Sequence, residues 1–578
     1  ISSRCRLKKG NMKYTGAEII IKLLERHGIR QIAGIPGGAN LPMYDALSQS
    51  ECIRHILARH EQGAGFIAQG QARVTGRPAV FFATSGPGAT NAISAVADAK
   101  LDSIPIICIT GQVPQDMIGT DAFQEIDTYG LSVPITKHNY FARSAKELFE
   151  IIPDAFRVAI SGRPGPIWID VPKDVQMALV EFDEWPKNGV ADNNFSLDMQ
   201  SIQDAATIIN EAKRPIVYVG GGAIHSEASE SVQALIEKLN APTVMTLMGL
   251  GALPSRHPLS LGMLGMHAAP FTNHALEECD ALIALGARFD DRATGKVAQF
   301  CPDAKIVHVD IDASELNKIK NAKIGIVADL DDAIEALSPL IDSKEADEWN
   351  DRIEQLKGEY PMYMPDLVDP TSAYGIIDHV AGMLEGETYI TTDVGQHQMR
   401  VAQAYPFEYP RQWLTSGGLG TMGFGLPAAI GAALEKPEAT VVCFTGDGSI
   451  LMNIQELITA VEENLNVKIF VCNNNSLGLV HQQQDLFYEK RIFAANYSRA
   501  VDFVKIAEGF QMDSFDLGTC VDPMSLIANA LAKPGPALIN VPIDVYHKVF
   551  PMVPPGGANK EMLLRDRVTA RTMNQIKQ

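Results

Sequence analysis

The 578-residue chain has no CxxC pair among its eight cysteines, no long apolar run and no excess of basic charge. Each absence removes a class of function. The cysteines, at 5, 52, 108, 279, 301, 443, 472 and 520, show no metal-ligand spacing. Cys108, Cys443 and Cys472 lie inside apolar runs, where a thiol serves as a small buried hydrophobe, a usage that fits a reducing, cytoplasmic setting. No apolar stretch approaches the roughly 18–20 residues that a membrane span requires. A formal net charge of −20 leaves no basic surface to meet nucleic-acid phosphates. With 46% hydrophobic and 20% charged residues, the composition is that of a globular protein, neither disordered nor fibrous. Residues 1–10 are basic (Arg4, Arg6, Lys8, Lys9) but lack the apolar core of a secretory signal. Residues 1–13 read as a disordered extension, with Met12 a plausible natural start and a transit-peptide remnant as the alternative.

What is present centres on two segments. Thr-Val-Val-Cys-Phe-Thr-Gly-Asp-Gly-Ser at 440–449 and Val-Lys-Ile-Phe-Val-Cys-Asn-Asn-Asn-Ser at 467–476 are β-branched, apolar runs that end abruptly in polar residues. Between them, 452–465 carries a helical pattern, with Ile454, Leu457, Ile458 and Val461 on one face. A strand–helix–strand unit puts both polar ends at the carboxyl edge of a parallel sheet, where open α/β sheets bind ligands. Gly446 and Gly448 let the backbone approach a phosphate, and a helix N-terminus favours an anion. A carboxylate (Asp447) and an amide oxygen (Asn474) converging there suit a hard cation such as Mg²⁺.

The whole chain alternates strand and helix signals, predicting an α/β protein of three doubly wound parallel-sheet domains. They span 14–180, 197–343 and 371–549, joined by linkers at 181–196 and 344–370 and followed by a tail at 550–578. In the first, strands are expected at 31–35, 79–83, 104–110 and 166–170, with a helix over 15–27 and a small-residue helix over 65–73. In the second they fall at 215–219, 243–246, 281–285 and 305–310. Gly220-Gly221-Gly222 either cradles a phosphate or simply turns the chain. Arg288 and Arg292 at one strand end, with Asp310 at the next, suit a dinucleotide: cations for diphosphate, a carboxylate for hydroxyls. A formal GxGxxG (418, 420, 423) has no clear strand leading into it and is weak as a nicotinamide fingerprint.

The paired Gly-Asp-Gly and Asn motifs resemble the signature of thiamine-diphosphate (ThDP) enzymes. That resemblance implies a Mg²⁺ ion held by Asp447, Asn474 and the Ser476 carbonyl. It implies ThDP contacts from Gly446, Gly448, Ser449, Gly395, Gln396 and His397. Gly420 would offer its carbonyl to the cofactor's amino group, Met422 would wedge beneath the bent cofactor, and Glu61 would hydrogen-bond the aminopyrimidine. Longer blocks are similar to one branch of the family, the catalytic subunit of acetohydroxyacid synthase (acetolactate synthase). They are Thr84–Asn91, Ile118–Glu125, Ser161–Pro166, Pro172–Asp174, Gly262–His267, Gly286–Arg292 and His308–Asp312. Residues 14–564 are covered.

This closer resemblance places Gly38, Phe123, Gln124 and Lys173 beside Glu61 in catalysis, and Met266, Arg292, Val394, Val480 and Gln483 around the substrate, with Arg292 holding the carboxylate of the second 2-ketoacid. It assigns FAD to Arg163, Gly220–Gly222, Thr246, Leu247, Leu264–His267, Gly286, Ala287, Arg288, Asp290, Arg292, Asp310, Ile311 and Asp329. The implied reaction joins two 2-ketoacids with loss of CO₂ through a hydroxyethyl carbanion on ThDP: pyruvate with pyruvate or with 2-ketobutyrate, the first common step toward valine, leucine and isoleucine. No net redox occurs, so FAD would be structural or vestigial. A homodimer or tetramer with a small regulatory subunit is implied as well. Two positions depart from the commonest family text, Gln483 and Arg400, each where a tryptophan is common. Losing the indole at 483 predicts weak preference for 2-ketobutyrate. The alternatives are a ThDP/FAD pyruvate oxidase, a carboligase such as glyoxylate carboligase, and an inactive ThDP-binding paralogue.

Overall fold

The β-branched runs become the strands of three six-stranded parallel sheets in the computed structural model, which describes residues 12–193, 195–344 and 347–565. In the first sheet the order is Arg54–Leu57, Gln31–Gly34, Ala79–Ala83, Ile106–Gln112, Ile167–Pro172, His138–Phe141. The third runs Trp413–Leu414, Thr388–Thr392, Thr440–Gly446, Val467–Asn473, Ala537–Pro542, Asp513–Asp516. Numbered within each domain, both read 2-1-3-4-6-5, so the first and third domains share one topology. The central sheet runs Ser260–Met263, Thr243–Met245, Pro215–Val219, Ala281–Leu285, Lys305–Asp310, Ile324–Val327, the 3-2-1-4-5-6 order of a dinucleotide fold. Strand residues such as Val441, Val442, Ile469 and Phe470 are wholly buried, because helices cover both faces of a parallel sheet.

Where the strand order reverses, adjacent loops splay apart and leave a crevice. In the third domain that point lies between the ends of Thr388–Thr392 and Thr440–Gly446, at Val394-Gly395 and Asp447-Gly448. In the central domain it lies between Gly220–Gly222 and Gly286-Ala287, and in the first between Gly37-Gly38 and Thr84-Ser85. A glycine-bearing segment therefore sits at each of the three switch points.

The first and third domains meet through topologically equivalent helices, Glu61–Thr75 and Gly425–Glu435. Glycine permits the crossing: a Cβ on Gly70 would collide with the Ala428 carbonyl, and one on Gly431 with that of Ile67.

Several local expectations change. The helix expected over 65–73 starts earlier, at Glu61, capped by the His60 imidazole accepting from Gln62 N at 3.1 Å. The pattern at 452–465 shortens to Glu456–Glu462, because Asn453 donates to Gly423 O (2.8 Å) and Gln62 Oε1 (3.2 Å) and holds the preceding turn out of the helix. A strand, Trp413–Leu414, does lead toward the GxGxxG block, though only two residues long. Met12 and Lys13 form the strand Met12–Thr15, paired antiparallel with Leu179–Phe182, which reaches into the first linker. The second linker contains the helix Asp347–Glu359, whose Trp349 indole donates to Pro215 O at 3.1 Å. Of the disordered extension expected at 1–13, residues 1–11 lie outside the described residues, as does the tail beyond 565. Among the described residues, no helix is long and apolar enough to cross a membrane.

Candidate active site

The carboxylate of Asp447 is 4% exposed, at the first position of the short helix Asp447–Ile450. Gly448 N donates to its Oδ1 (2.8 Å) and Ser476 N to its Oδ2 (3.1 Å). Ser476 N also donates to Asn474 Oδ1 at 3.1 Å, so the two strand ends are laced together. Burial pushes the Asp447 carboxyl up to about 6, the backbone donors opposing that shift. The Asp447 carboxylate, the Asn474 amide oxygen and the expected Ser476 carbonyl would make an all-oxygen set, suited to a small divalent cation and unsuited to a soft one. The fit to Mg²⁺ is chemical.

Around this cradle the structure gathers most of the predicted diphosphate residues. Ser449 Oγ donates to Val394 O at 3.1 Å. Gly395 (φ +153°) opens the helix Gln396–Ala404, and its Cα and that of Gly446 both face the His397 ring, leaving about 3 Å for a Cβ at either position. His397 is buried with Nε2 unpartnered, and burial lowers its pKa to about 3, so it is neutral. Gln396 links Asn474 (3.4 Å) to Gln482 (2.8 Å). Gly420 (φ +71°) lies against Val394, while the Met422 methyl, Leu477 and the Tyr497 hydroxyl crowd Gly448. An orphaned imidazole nitrogen beside a glycine-lined helix start accommodates a phosphate group.

Glu61 is 8% exposed at the first position of its helix. Asn91 Nδ2 donates to its Oε2 at 3.0 Å, leaving Oε1 directed toward Gly88. Beside it the hydroxyls of Thr84 and Ser85 are buried without partners, and Gly38 faces open space. Gln124 (φ +60°) packs its backbone on Gly86. Phe123, next to it, is 86% exposed. Lys173 opens the helix Lys173–Met177, half-buried.

In the central domain, Gly220 and Gly222 are glycines because Gly286 and Ala287 press directly on them. Thr246 Oγ1, just past the strand Thr243–Met245, and His308 Nδ1, within Lys305–Asp310 on the other side of the switch point, are buried and unpartnered, and burial raises Asp310 to about 6. These groups fit a polar ligand laid across the switch point. Leu247 O accepts from the Trp413 indole, Leu264 N reaches Met245 O, and Ile311 follows Asp310 out of its strand. Other assigned residues have local work: Asp290 and Asp329 cap helices, Arg288 donates to Leu101 O, and Arg163 bridges to Glu315 (2.6 Å) and Asp312 (3.3 Å).

The second-substrate candidates are split between the central domain (Met266, Arg292) and the third (Val394, Val480, Gln483), which meet along a seam where Gln403 donates to His267 O at 2.8 Å. Met266 N donates to Arg292 O at 2.9 Å, Gly265 (φ +98°) abuts the same carbonyl, and the Arg292 side chain is 69% exposed, with Nε 3.8 Å from Asp291 and Nη1 3.9 Å from Met266 Sδ. Val480 is exposed and Gln483 half-buried on the helix Gly478–Phe487. The start of the tail closes this seam. Val553 N donates to Met266 O, His267 Nδ1 lies 2.8 Å from Pro551 O, and Asn559 donates to Ala293 O. Arg400, buried, donates to His547 O and lies 5.8 Å over the Tyr374 ring, anchoring the segment that leads into the tail.

Comparison with known proteins agrees. Residues 14–131, 202–337 and 393–541 match the N-terminal TPP-binding, central and C-terminal TPP-binding domains of the thiamine pyrophosphate enzymes. The chain is 59% identical to the acetolactate synthase isozyme 1 large subunit of Escherichia coli K12, over 95% of this chain and 98% of that one. The chain belongs to the acetolactate synthase family. The E. coli isozyme 2 large subunit is 42% identical (95% and 99% covered), and the chloroplastic acetolactate synthase 2 of Nicotiana tabacum 43% (95% and 85%).

Within this acetolactate synthase fold, sequence reasoning missed several residues that shape the site. Asp393, fully buried with its pKa raised by that burial, accepts from Gly423 N (2.7 Å), Gly425 N (3.1 Å) and Thr445 Oγ1 (2.7 Å), fixing the Met422 loop to the strand ends. An Asp at a strand's carboxyl end was the available signal. Glu456, Asp98 and Asp102 are buried carboxylates on helices and carry no motif. Burial and the neighbouring Asp102 push Asp98 up to about 6.

Proposed function

We propose that the protein condenses two 2-ketoacids with loss of CO₂, pyruvate with pyruvate or less selectively with 2-ketobutyrate, as the first common step of branched-chain amino acid biosynthesis in the cytoplasm. One observation carries this reading: residues fit for a diphosphate and Mg²⁺ (Asp447, Asn474, His397) coexist with an oriented Glu61 in a chain of the acetolactate synthase family. Bound ThDP supplies the electron sink that allows decarboxylation and carbon–carbon bond formation. The chain does the rest. Asp447, Asn474 and the Ser476 carbonyl hold Mg²⁺; neutral His397 and the start of the helix Gln396–Ala404 receive the diphosphate. Glu61, with Oε2 tied by Asn91, keeps Oε1 free to hold a proton against the aminopyrimidine. Gln124, Gly38, Phe123 and Lys173 line the substrate side. Arg292, exposed and nearly unpaired, offers a guanidinium fork to the second ketoacid's carboxylate.

FAD in the central domain acts structurally, held by the polar groups around Asp310, Thr246 and Arg288. The catalytic unit is a homodimer, in which the Glu61 side of one subunit faces the Asp447 side of the other. A small regulatory subunit accompanies it, in keeping with the "large subunit" names of the bacterial relatives. The exposed apolar side chains at 117–133 (Met117, Ile118, Phe123, Tyr129, Val133) support a covering subunit. The test is acetolactate formation from pyruvate by purified protein given ThDP and Mg²⁺. Activity lost on chelation and restored by Mg²⁺ is expected; acetolactate absent under every cofactor condition would overturn the reading.

A further inference from the structure

The equivalence of the first and third domains has a polar counterpart at their contact. In each, the segment leading from the second strand into the helix that follows it carries a site element: Glu61, the first residue of its helix, in the first, Gly420 and Met422 in the third. In each case a buried carboxylate of the opposite domain, on a helix following that domain's third strand, grips this segment. Glu456 Oε1 accepts from Arg59 N (2.9 Å) and His60 N (3.1 Å), the two amides just before Glu61. Conversely, Asp102 accepts from Gly417 N (3.0 Å) and Gly418 N (2.7 Å), while Asp98 accepts from the hydroxyls of Ser416 and Thr421 (2.7 Å).

The charge balance shows why this grip matters. Asp98 and Asp102 have wholly buried side chains and share one cation, Arg73, at 3.6 and 2.8 Å. Gln69 adds a donor to Asp98 at 3.1 Å, and Arg73 itself lies 5.0 Å over the Phe424 ring. Two buried carboxylates against one guanidinium leave a net charge that only hydrogen-bond donors can offset. Besides Gln69, the donors at hand are the two amides and two hydroxyls of the 416–421 loop. A loop that supplies the counter-dipoles of a buried charge is held in one conformation.

We infer that Asp98 and Asp102 are positioning residues that set the loop bearing Gly420 and Met422, and that Glu456 does the same for the backbone entering Glu61. The inference rests on the cofactor roles proposed above for these two site elements. None of the three carboxylates touches reactants. Each acts by fixing a neighbour's backbone, so that the two domains set each other's site elements.

Hydrogen exchange on the full, cofactor-free chain tests this separately from activity, with ThDP affinity in the presence of Mg²⁺ as the second reading. In Asp102→Asn any orientation of the amide turns its NH₂ toward a donor. This variant should speed exchange in 416–423 by about tenfold or more, the size of one lost hydrogen bond to a charged group. Residues 59–64 and 447–476 should stay at the wild-type rate. Glu456→Ala should show the reverse pattern, fast at 59–64 and unchanged at 416–423. ThDP affinity should fall about tenfold in Asp102→Asn. If that variant does not fold, the near-isosteric Thr421→Val, which removes one hydroxyl from Asp98, decides by the same pattern with a smaller change. Unchanged exchange at 416–423, or acceleration everywhere at once, would overturn the inference. A wild-type chain that binds no ThDP would instead defeat the functional reading, and the exchange pattern would still decide the clamp.

Discussion

At the scale of single residues, the site's acid–base behaviour follows from burial. Asp447 is held near a pKa of about 6 by desolvation, against an ordinary value of 3.8. A carboxyl raised on folding contributes stability below the lower value and loses it as pH rises through the higher one, so ionised Asp447 weighs against the metal-free fold above about pH 6. A cation binds only the ionised form. Mg²⁺ should therefore raise the unfolding midpoint strongly at pH 7.5 and weakly at pH 5, with apparent affinity falling about tenfold per pH unit below 6. Thermal scans at the two pH values, with and without Mg²⁺, would show it. In Asp447→Asn the Mg²⁺ effect should vanish at both; a pH-independent effect would remove Asp447 from the metal site.

Gln483 is a second residue-scale case. Its amide makes no hydrogen bond among the described residues, so replacing it leaves nothing unpaired. An indole there would add apolar surface for the extra methyl of 2-ketobutyrate, and one methylene is worth about 1–3 kcal/mol. Gln483→Trp should shift the product ratio in mixed pyruvate and 2-ketobutyrate toward the larger product by about tenfold or more. A wild-type enzyme that already favours 2-ketobutyrate strongly would contradict this account of the position.

At the scale of elements, the crossing of Glu61–Thr75 over Gly425–Glu435 carries the contact between the two like-folded domains. A methyl on Gly431 meets the Ile67 carbonyl, which belongs to helix backbone and cannot rotate away. Overpacking of this kind costs about 1–3 kcal/mol, more than the roughly 1 kcal/mol that Gly→Ala gains inside a helix. Gly431→Ala should lower the unfolding midpoint by a few degrees; a raised midpoint would mean that the crossing is looser than described. The element scale also shows what a sequence can disclose. Continuous β-branched runs such as 440–446 and 467–473 were legible because strands buried on both faces leave no polar alternation to misread. The start of the Glu61 helix was less so, since Gly63, Ala64 and Gly65 give no periodic stripe. The Glu456 helix was over-extended because Asn453 is bound by a residue 30 positions upstream and another 391 upstream.

At the scale of the molecule, the 447–474 pairing lies within one strand–helix–strand unit, so its spacing survives in the linear text. The carboxylates that hold the loops do not. Asp102 meets Gly417 across 315 positions and Glu456 meets Arg59 across 397, and no local pattern marks either. Fold class and the meeting of the strand ends at Asp447 and Asn474 are therefore readable in sequence, whereas the supports between domains need coordinates. In the dimer proposed here, each site draws on two subunits, so activity per chain should fall on dilution in step with dissociation seen by sedimentation. Full activity in a monomer fraction would contradict that arrangement.

The central claim is that carbon–carbon bond formation, and not flavin reduction, is the fate of decarboxylated pyruvate. The most direct measurement is the partition of pyruvate carbon between acetolactate and acetate by purified protein with ThDP, Mg²⁺ and FAD, while flavin absorbance is followed. Acetolactate as the main product with the flavin staying oxidised is the predicted result. Acetate accompanied by flavin bleaching would contradict it and make the central domain's cofactor an electron carrier.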